Sequence, residues 1–200
     1  MQAIRQQYGI EVDDTVFLFV GRMMWYKNLK FTIDSLKAAK EQGATFKMLF
    51  VGDGVDRPSI QEYIATLGLE KDCIFTGAIH DREHLRSYFS IANLFLFPST
   101  YDTNGIVVRE AAACGCPSLL IDGSCASEKI QHNVTGILIE ETIDSMSSEI
   151  LLACGDHERL KNIGKNATDQ IYLSWDDAVG KAFKRYHHII EQKSQVKLNA

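Results

Sequence analysis

The chain has 200 residues, 46% of them hydrophobic and 24% charged, with a net charge of −5. That is the balance of one ordinary globular domain. The acidic charge and dispersed Lys and Arg exclude an electrostatic footprint for nucleic acid, and no apolar run is long enough to suggest a membrane span. The start, Met1 to Tyr8, is polar and lacks the apolar centre of a signal peptide.

The elements alternate from the start. Thr15–Val20 is a β-branched and aromatic run closed by Gly21, and Asn28–Gln42 repeats Leu29, Ile33, Leu36 and Ala39 at helical spacing. Phe46–Val51 reads as the second strand, closed by Gly52-Asp53-Gly54, and Ser59–Leu67 as a helix that Pro58 initiates. Cys73–Thr76 is the third strand and Arg82–Ile91 the third helix; Leu94–Phe97 is the fourth strand, stopped by Pro98. Ile106–Cys114 follows as a helix, then strands Ser118–Ile121 and Ile137–Ile139. From Ile143 the pattern turns helical, in Ile143–Ala153, His157–Tyr172 and Trp175–Gln192. Strands that are apolar on both faces and alternate with helices specify a doubly wound parallel α/β sheet, Rossmann-like, over residues 1–200 as one domain, with terminal helices at about 143–192. Ligands of such sheets bind beyond the carboxyl ends of the strands, in the loops that carry every motif below.

Gly21-Arg22 and Lys27 put two cations beside a helix start, where unpaired amides already favour anions. Both cations also fit as plain surface charges. Gly52-Asp53-Gly54 permits close backbone approach, though a tight turn alone explains it. The segment from Pro98 to Pro117 places Asp102 in a loop, Gly105 at a helix start with the amides of Gly105, Ile106 and Val107 free, and Glu110 one turn in. Glu110, flanked by apolar residues, is expected to be buried and to need hydrogen-bond donors, which ribose hydroxyls or a neighbouring cation would supply. Glu128 follows a small-residue loop after the fifth strand. Of the five cysteines, Cys73, Cys114 and Cys154 sit in apolar contexts typical of buried thiols, which points to a reducing cytoplasm. Cys114 and Cys116 have no second pair with which to hold zinc. Asn133-Val134-Thr135 and Asn166-Ala167-Thr168 match the glycosylation pattern by chance.

Taken as an ordered set from about Val16 to Trp175, these residues resemble the C-terminal, donor-binding half of glycosyltransferase family 4, enzymes of the GT-B fold. The set is Gly21, Arg22, Lys27, Gly52-Asp53-Gly54, Thr76-Gly77, Asp102, Glu110-Ala111-Ala112-Ala113-Cys114-Gly115 and Asn133-Val134-Thr135-Gly136. The resemblance implies transfer of a sugar from a nucleoside-diphosphate donor to an acceptor with the anomeric configuration retained. By that resemblance Arg22 and Lys27 neutralise the diphosphate with the amides of Gly105, Ile106 and Val107, and Glu110 holds the ribose. Asp102, with Thr103 and Asn104, meets the donor sugar. Gly77, Ala78 and Ile79 meet the base, and Gly21, Gly52 and Gly54 admit the donor closely. The family carries Glu where Asp102 stands, which leaves the sugar open. The resemblance implies no metal and no cofactor, and UDP ranks ahead of GDP and ADP as the donor nucleotide. It also implies that the acceptor, whether saccharide, lipid or small molecule, binds an N-terminal domain absent from this chain. The expected location is cytoplasmic, peripheral at the inner membrane where the other half attaches there. A sugar-nucleotide epimerase or phosphorylase of the same fold, and a non-catalytic nucleotide-binding domain, are the competing readings.

Overall fold

A computed structural model of the chain describes residues 2–103 and 105–198, with side chains as far as residue 192. Its elements are α1 (Gln2–Tyr8), β1 (Val16–Val20), α2 (Leu29–Glu41), β2 (Lys47–Val51), α3 (Arg57–Thr66), β3 (Cys73–Gly77) and α4 (Arg82–Ile91). There follow β4 (Leu94–Leu96), α5 (Ile106–Ala113), β5 (Ser118–Ile121), β6 (Ile137–Ile139), α6 (Ile143–Gly155), α7 (His157–Gln170) and α8 (Trp175–Leu198). Single 3-10 turns stand at Trp25–Lys27 and Cys125–Ser127.

All strand pairs are parallel, in the order β3-β2-β1-β4-β5-β6. The chain therefore winds outward from β1 to β3, then returns to the other side of β1 with β4. Between β1 and β4 the winding reverses, and a crevice opens beyond their carboxyl ends.

Successive strand residues point to opposite faces, so each strand feeds two cores. Phe17, Phe19, Met48 and Phe50 pack with Leu29, Ile33 and Leu36 of α2, Ile60 of α3 and Met146 and Ile150 of α6. Val16, Leu18, Leu49 and Val51 pack on the other face with Tyr88 and Phe89 of α4 and Val108 and Ala111 of α5. The apolar strand runs expected from the sequence are thus the middle layer of three. Side chains of Asp81, Thr142 and Asp156 cap α4, α6 and α7, each accepting a first-turn amide that the helix cannot satisfy.

Three features depart from the sequence reading. Met1 to Tyr8 holds a short helix, whose Ile4 joins the second core beside Ile10. Its seven residues offer one buried apolar position, too few to show a period. Of the cysteines expected to be buried, Cys73 is, and Cys114 and Cys154 are half-buried; Cys116 is buried and Cys125 exposed, and all five are free. Among the described residues α8 adds almost nothing to the core: Trp175, Val179, Phe183 and Tyr186 are 78%, 63%, 63% and 68% exposed. No helix among the described residues is long and apolar enough to cross a membrane.

Candidate functional site

The crevice at the reversal between β1 and β4 is a cleft of about 430 Å³. Phe19, Val20 and Phe97 form its floor; Gly21 and Lys27 line one wall, and Asp102, Thr103, Gly105, Ile106, Val107 and Glu110 the other. The two walls come from loops about 75 residues apart, and they meet in an ion pair. Lys27 Nζ lies 2.5 Å from Asp102 Oδ1, with the two side chains 12% and 26% exposed. The second carboxylate oxygen, Asp102 Oδ2, is shielded from solvent and has no hydrogen-bond partner.

Lys27 is aimed by its neighbours. Trp25 N donates to Asp56 Oδ2 at 3.0 Å, which ties the 3-10 turn to the start of α3. Asn28 then takes a left-handed conformation (φ 60°) between that turn and α2. This region admits Asn more readily than most side chains. Its amide Nδ2 donates to the carbonyl of Pro98 at 3.0 Å and to Glu141 Oε1 at 2.6 Å. The residue after Lys27 is therefore fastened to the loop that carries Asp102.

Across the cleft, Gly105 (φ 52°) precedes α5, and its carbonyl accepts the Val108 amide at 2.8 Å. The amides of Gly105, Ile106 and Val107 are left without a helical partner and face the cleft side, as a helix start requires. A Cβ at Gly105 would stand 2.9 Å from Ala126 Cβ, in the loop after β5. Glu128 of that loop lines a small recess of about 60 Å³ behind α5, with Thr103, Gly105 and Arg109.

Several expected residues stand elsewhere. Glu110 is exposed, not buried: Val108, Ala111 and Ala112 form the inward face of α5, and position 110 turns away from them. It lies at the mouth of the cleft, and no ion pair holds it among the described residues. The burial cost that would explain a carboxylate there does not exist. Arg22 follows Gly21 directly but is exposed and outside the cleft lining. Gly52 and Gly54 do not line the cleft; they let two loops touch. A Cβ on Gly52 (φ 133°) would stand 1.9 Å from the Gly21 carbonyl oxygen, and one on Gly54 2.4 Å from that of Met23. Gly52 N donates to the Gly77 carbonyl at 2.9 Å. Ala78 and Ile79 line a separate groove with Tyr8, His80, His84 and Tyr88 at the outer end of the sheet. Asn104 lies outside the described residues.

The sequence reading missed Asn28, Tyr26 and Tyr101. Asn28 sits directly after Lys27, but a left-handed backbone leaves no mark in sequence. Tyr26 and Tyr101 flank the ion pair in sequence, and their rings meet at 5.1 Å between centroids.

The model of the family described as glycosyl transferases group 1 matches residues 1–170. This chain belongs to that family. Among its relatives in glycosyl transferases group 1 is an uncharacterized glycosyltransferase of Methanocaldococcus jannaschii, 26% identical over 190 residues, covering 94% of this chain and 48% of that protein. Sucrose-phosphate synthase of Thermosynechococcus elongatus superposes with a TM-score of 0.80 at 26% identity, over 96% of this chain and 49% of that one. Anabaena HepE, solved in complex with UDP and glucose, superposes with a TM-score of 0.73 at 25% identity, over 84% of this chain and 46% of that one. The fold is the Rossmann-like sheet of GT-B glycosyltransferase C-terminal domains. The chain spans about half the length of these relatives.

Proposed function

We propose that this chain is the donor-binding, C-terminal half of a family 4 glycosyltransferase, which binds a nucleoside-diphosphate sugar in the cleft between β1 and β4 and passes the sugar to an acceptor with retention. The observation that carries this reading is the convergence of Lys27, Asp102 and the open start of α5 on one cleft at the reversal of the sheet. A cation and unpaired amides suit a diphosphate, and the carboxylate beside them suits a sugar hydroxyl. The solved relative from Anabaena holds UDP and glucose, which favours UDP as the nucleotide here.

In this mechanism negative charge collects on the departing diphosphate as the glycosidic bond lengthens. Lys27 and the amides of Gly105, Ile106 and Val107 are oriented in advance toward that charge, so they stabilise the transition state more than the ground state. Arg22 swings in from the rim, and these cations act where other enzymes use a metal. Glu110, at the mouth, accepts from the ribose hydroxyls. The acceptor, a saccharide, lipid or small molecule, meets the N-terminal half.

Calorimetric titration with UDP, GDP, ADP and uridine tests the reading. UDP should bind best, and Lys27→Ala and Arg22→Ala should each weaken UDP far more than uridine, with the difference shrinking as salt rises. Equal losses for UDP and uridine would show that these cations do not hold the diphosphate.

A further inference from the structure

Two tyrosines sit at the rim of the cleft without a role in that reading. Tyr26 and Tyr101 are 40% and 74% exposed, and their rings lie 5.1 Å apart at an interplanar angle of 55°. They belong to opposite walls, and each is the chain neighbour of one member of the ion pair. Lys27 Nζ reaches both groups, at 2.5 Å from Asp102 Oδ1 and 5.3 Å from the centroid of the Tyr26 ring. Beside this apolar surface lies Asp102 Oδ2, shielded from solvent and without a donor. An unmet acceptor of this kind costs free energy until a ligand supplies a hydrogen.

We propose that Tyr26, Tyr101 and Asp102 Oδ2 form a subsite for a pyranose ring, the tyrosines covering its C–H face and the carboxylate accepting from a hydroxyl on its edge. A pyranose has this division of surface: apolar hydrogens on one face and hydroxyls around the rim. A nucleobase fits the position poorly. With phosphate on Lys27, the group bonded directly to the terminal phosphate of a nucleotide sugar is the sugar, whereas the base stands a ribose and a second phosphate away. The proposal rests on the donor-site reading above and adds to it a platform of two residues. The ring bound there is the donor's sugar or that of a saccharide acceptor, and experiment separates the two.

The test is calorimetry on the chain and its Tyr101→Ala, Tyr26→Ala and Tyr101→Phe variants. The titrants are UDP, a panel of UDP-glucose, UDP-galactose and UDP-N-acetylglucosamine, and maltose added to UDP-saturated protein. If the donor's sugar occupies the subsite, the best UDP-sugar of the panel loses roughly two- to ten-fold in affinity in each alanine variant. UDP itself is unchanged, and Tyr101→Phe behaves as the parent chain. If an acceptor's sugar occupies it, the UDP-sugars are unaffected and maltose binding is lost in the alanine variants alone. Intact UDP binding with neither sugar arm altered overturns the subsite and leaves the donor-site reading standing. Failure of the parent chain to bind UDP at all overturns both. Melting curves of the variants confirm folding, which side chains this exposed do not govern.

Discussion

Asn28 shows how much of this site depends on one residue that touches no ligand atom. Its left-handed backbone ends one turn and starts α2, while its amide ties that point to the Pro98 carbonyl and to Glu141. Lys27 is thereby presented to Asp102. Asn28→Gly keeps the backbone and removes both side-chain bonds, so UDP affinity should fall several-fold, at about 1 kcal/mol for each lost bond. Asn28→Ala should in addition lose roughly 1 kcal/mol of stability, because alanine resists this conformation. Melting temperature and UDP titration together check this; a glycine variant with unchanged affinity would make the anchoring incidental. Lys27, Asp102 and Gly105 were legible in the sequence because their chemistry is local: charge, reach and a helix start. The burial expected of Glu110 was not, since apolar flanks do not say which side of a short helix faces inward.

At the scale of the elements, the strands were legible almost to the residue. Runs such as Phe17-Leu18-Phe19 are apolar on both faces, a pattern that only a covered parallel sheet satisfies. The connections between them were harder to read. Gly52 and Gly54 stood in the sequence as a phosphate-approaching turn, yet what approaches them closely is protein: the carbonyls of Gly21 and Met23. The loops after β1 and β2 are held together by Gly21 N to the Val51 carbonyl and Met23 N to the Asp53 carbonyl, both at 3.0 Å. A methyl at either glycine would part them. Gly52→Ala is therefore expected to cost roughly 2 kcal/mol or more, a fall of about 4–8 °C in melting temperature for a chain of this size. Full stability in Gly52→Ala, measured by thermal unfolding, would show that the loops part without cost.

Over the whole molecule, the core ends with α7. Along α8 Trp175, Val179, Phe183 and Tyr186 are exposed in the repeat of one helix face, and none joins either hydrophobic core. Ending the chain at Ser174 should thus leave the melting temperature within about 2 °C of the full chain. It should also reduce binding of an apolar dye, because it removes the largest exposed aromatic side chains. A drop of 5 °C or more would show that α8 braces the sheet. The sequence displayed this helix by its periodicity, but periodicity alone could not say that its apolar face goes uncovered.

The two walls of the cleft are built differently, and the contrast sets how each should breathe. On the β1 side the amides of Gly21, Met23 and Gly52 are each locked onto the backbone of a neighbouring loop. On the β4 side, among the described residues, no amide of Thr100, Tyr101, Asp102 or Thr103 donates to another backbone carbonyl. Hydrogen exchange should therefore be slow at the first three amides in the free chain and fast at the last four, since exchange follows local opening. A bound nucleotide sugar should slow the second group and leave the first as it was. The entropic cost of gripping the donor would then fall on one wall, while the other serves as a rigid anvil. Matching protection of both groups before ligand is added would remove that asymmetry.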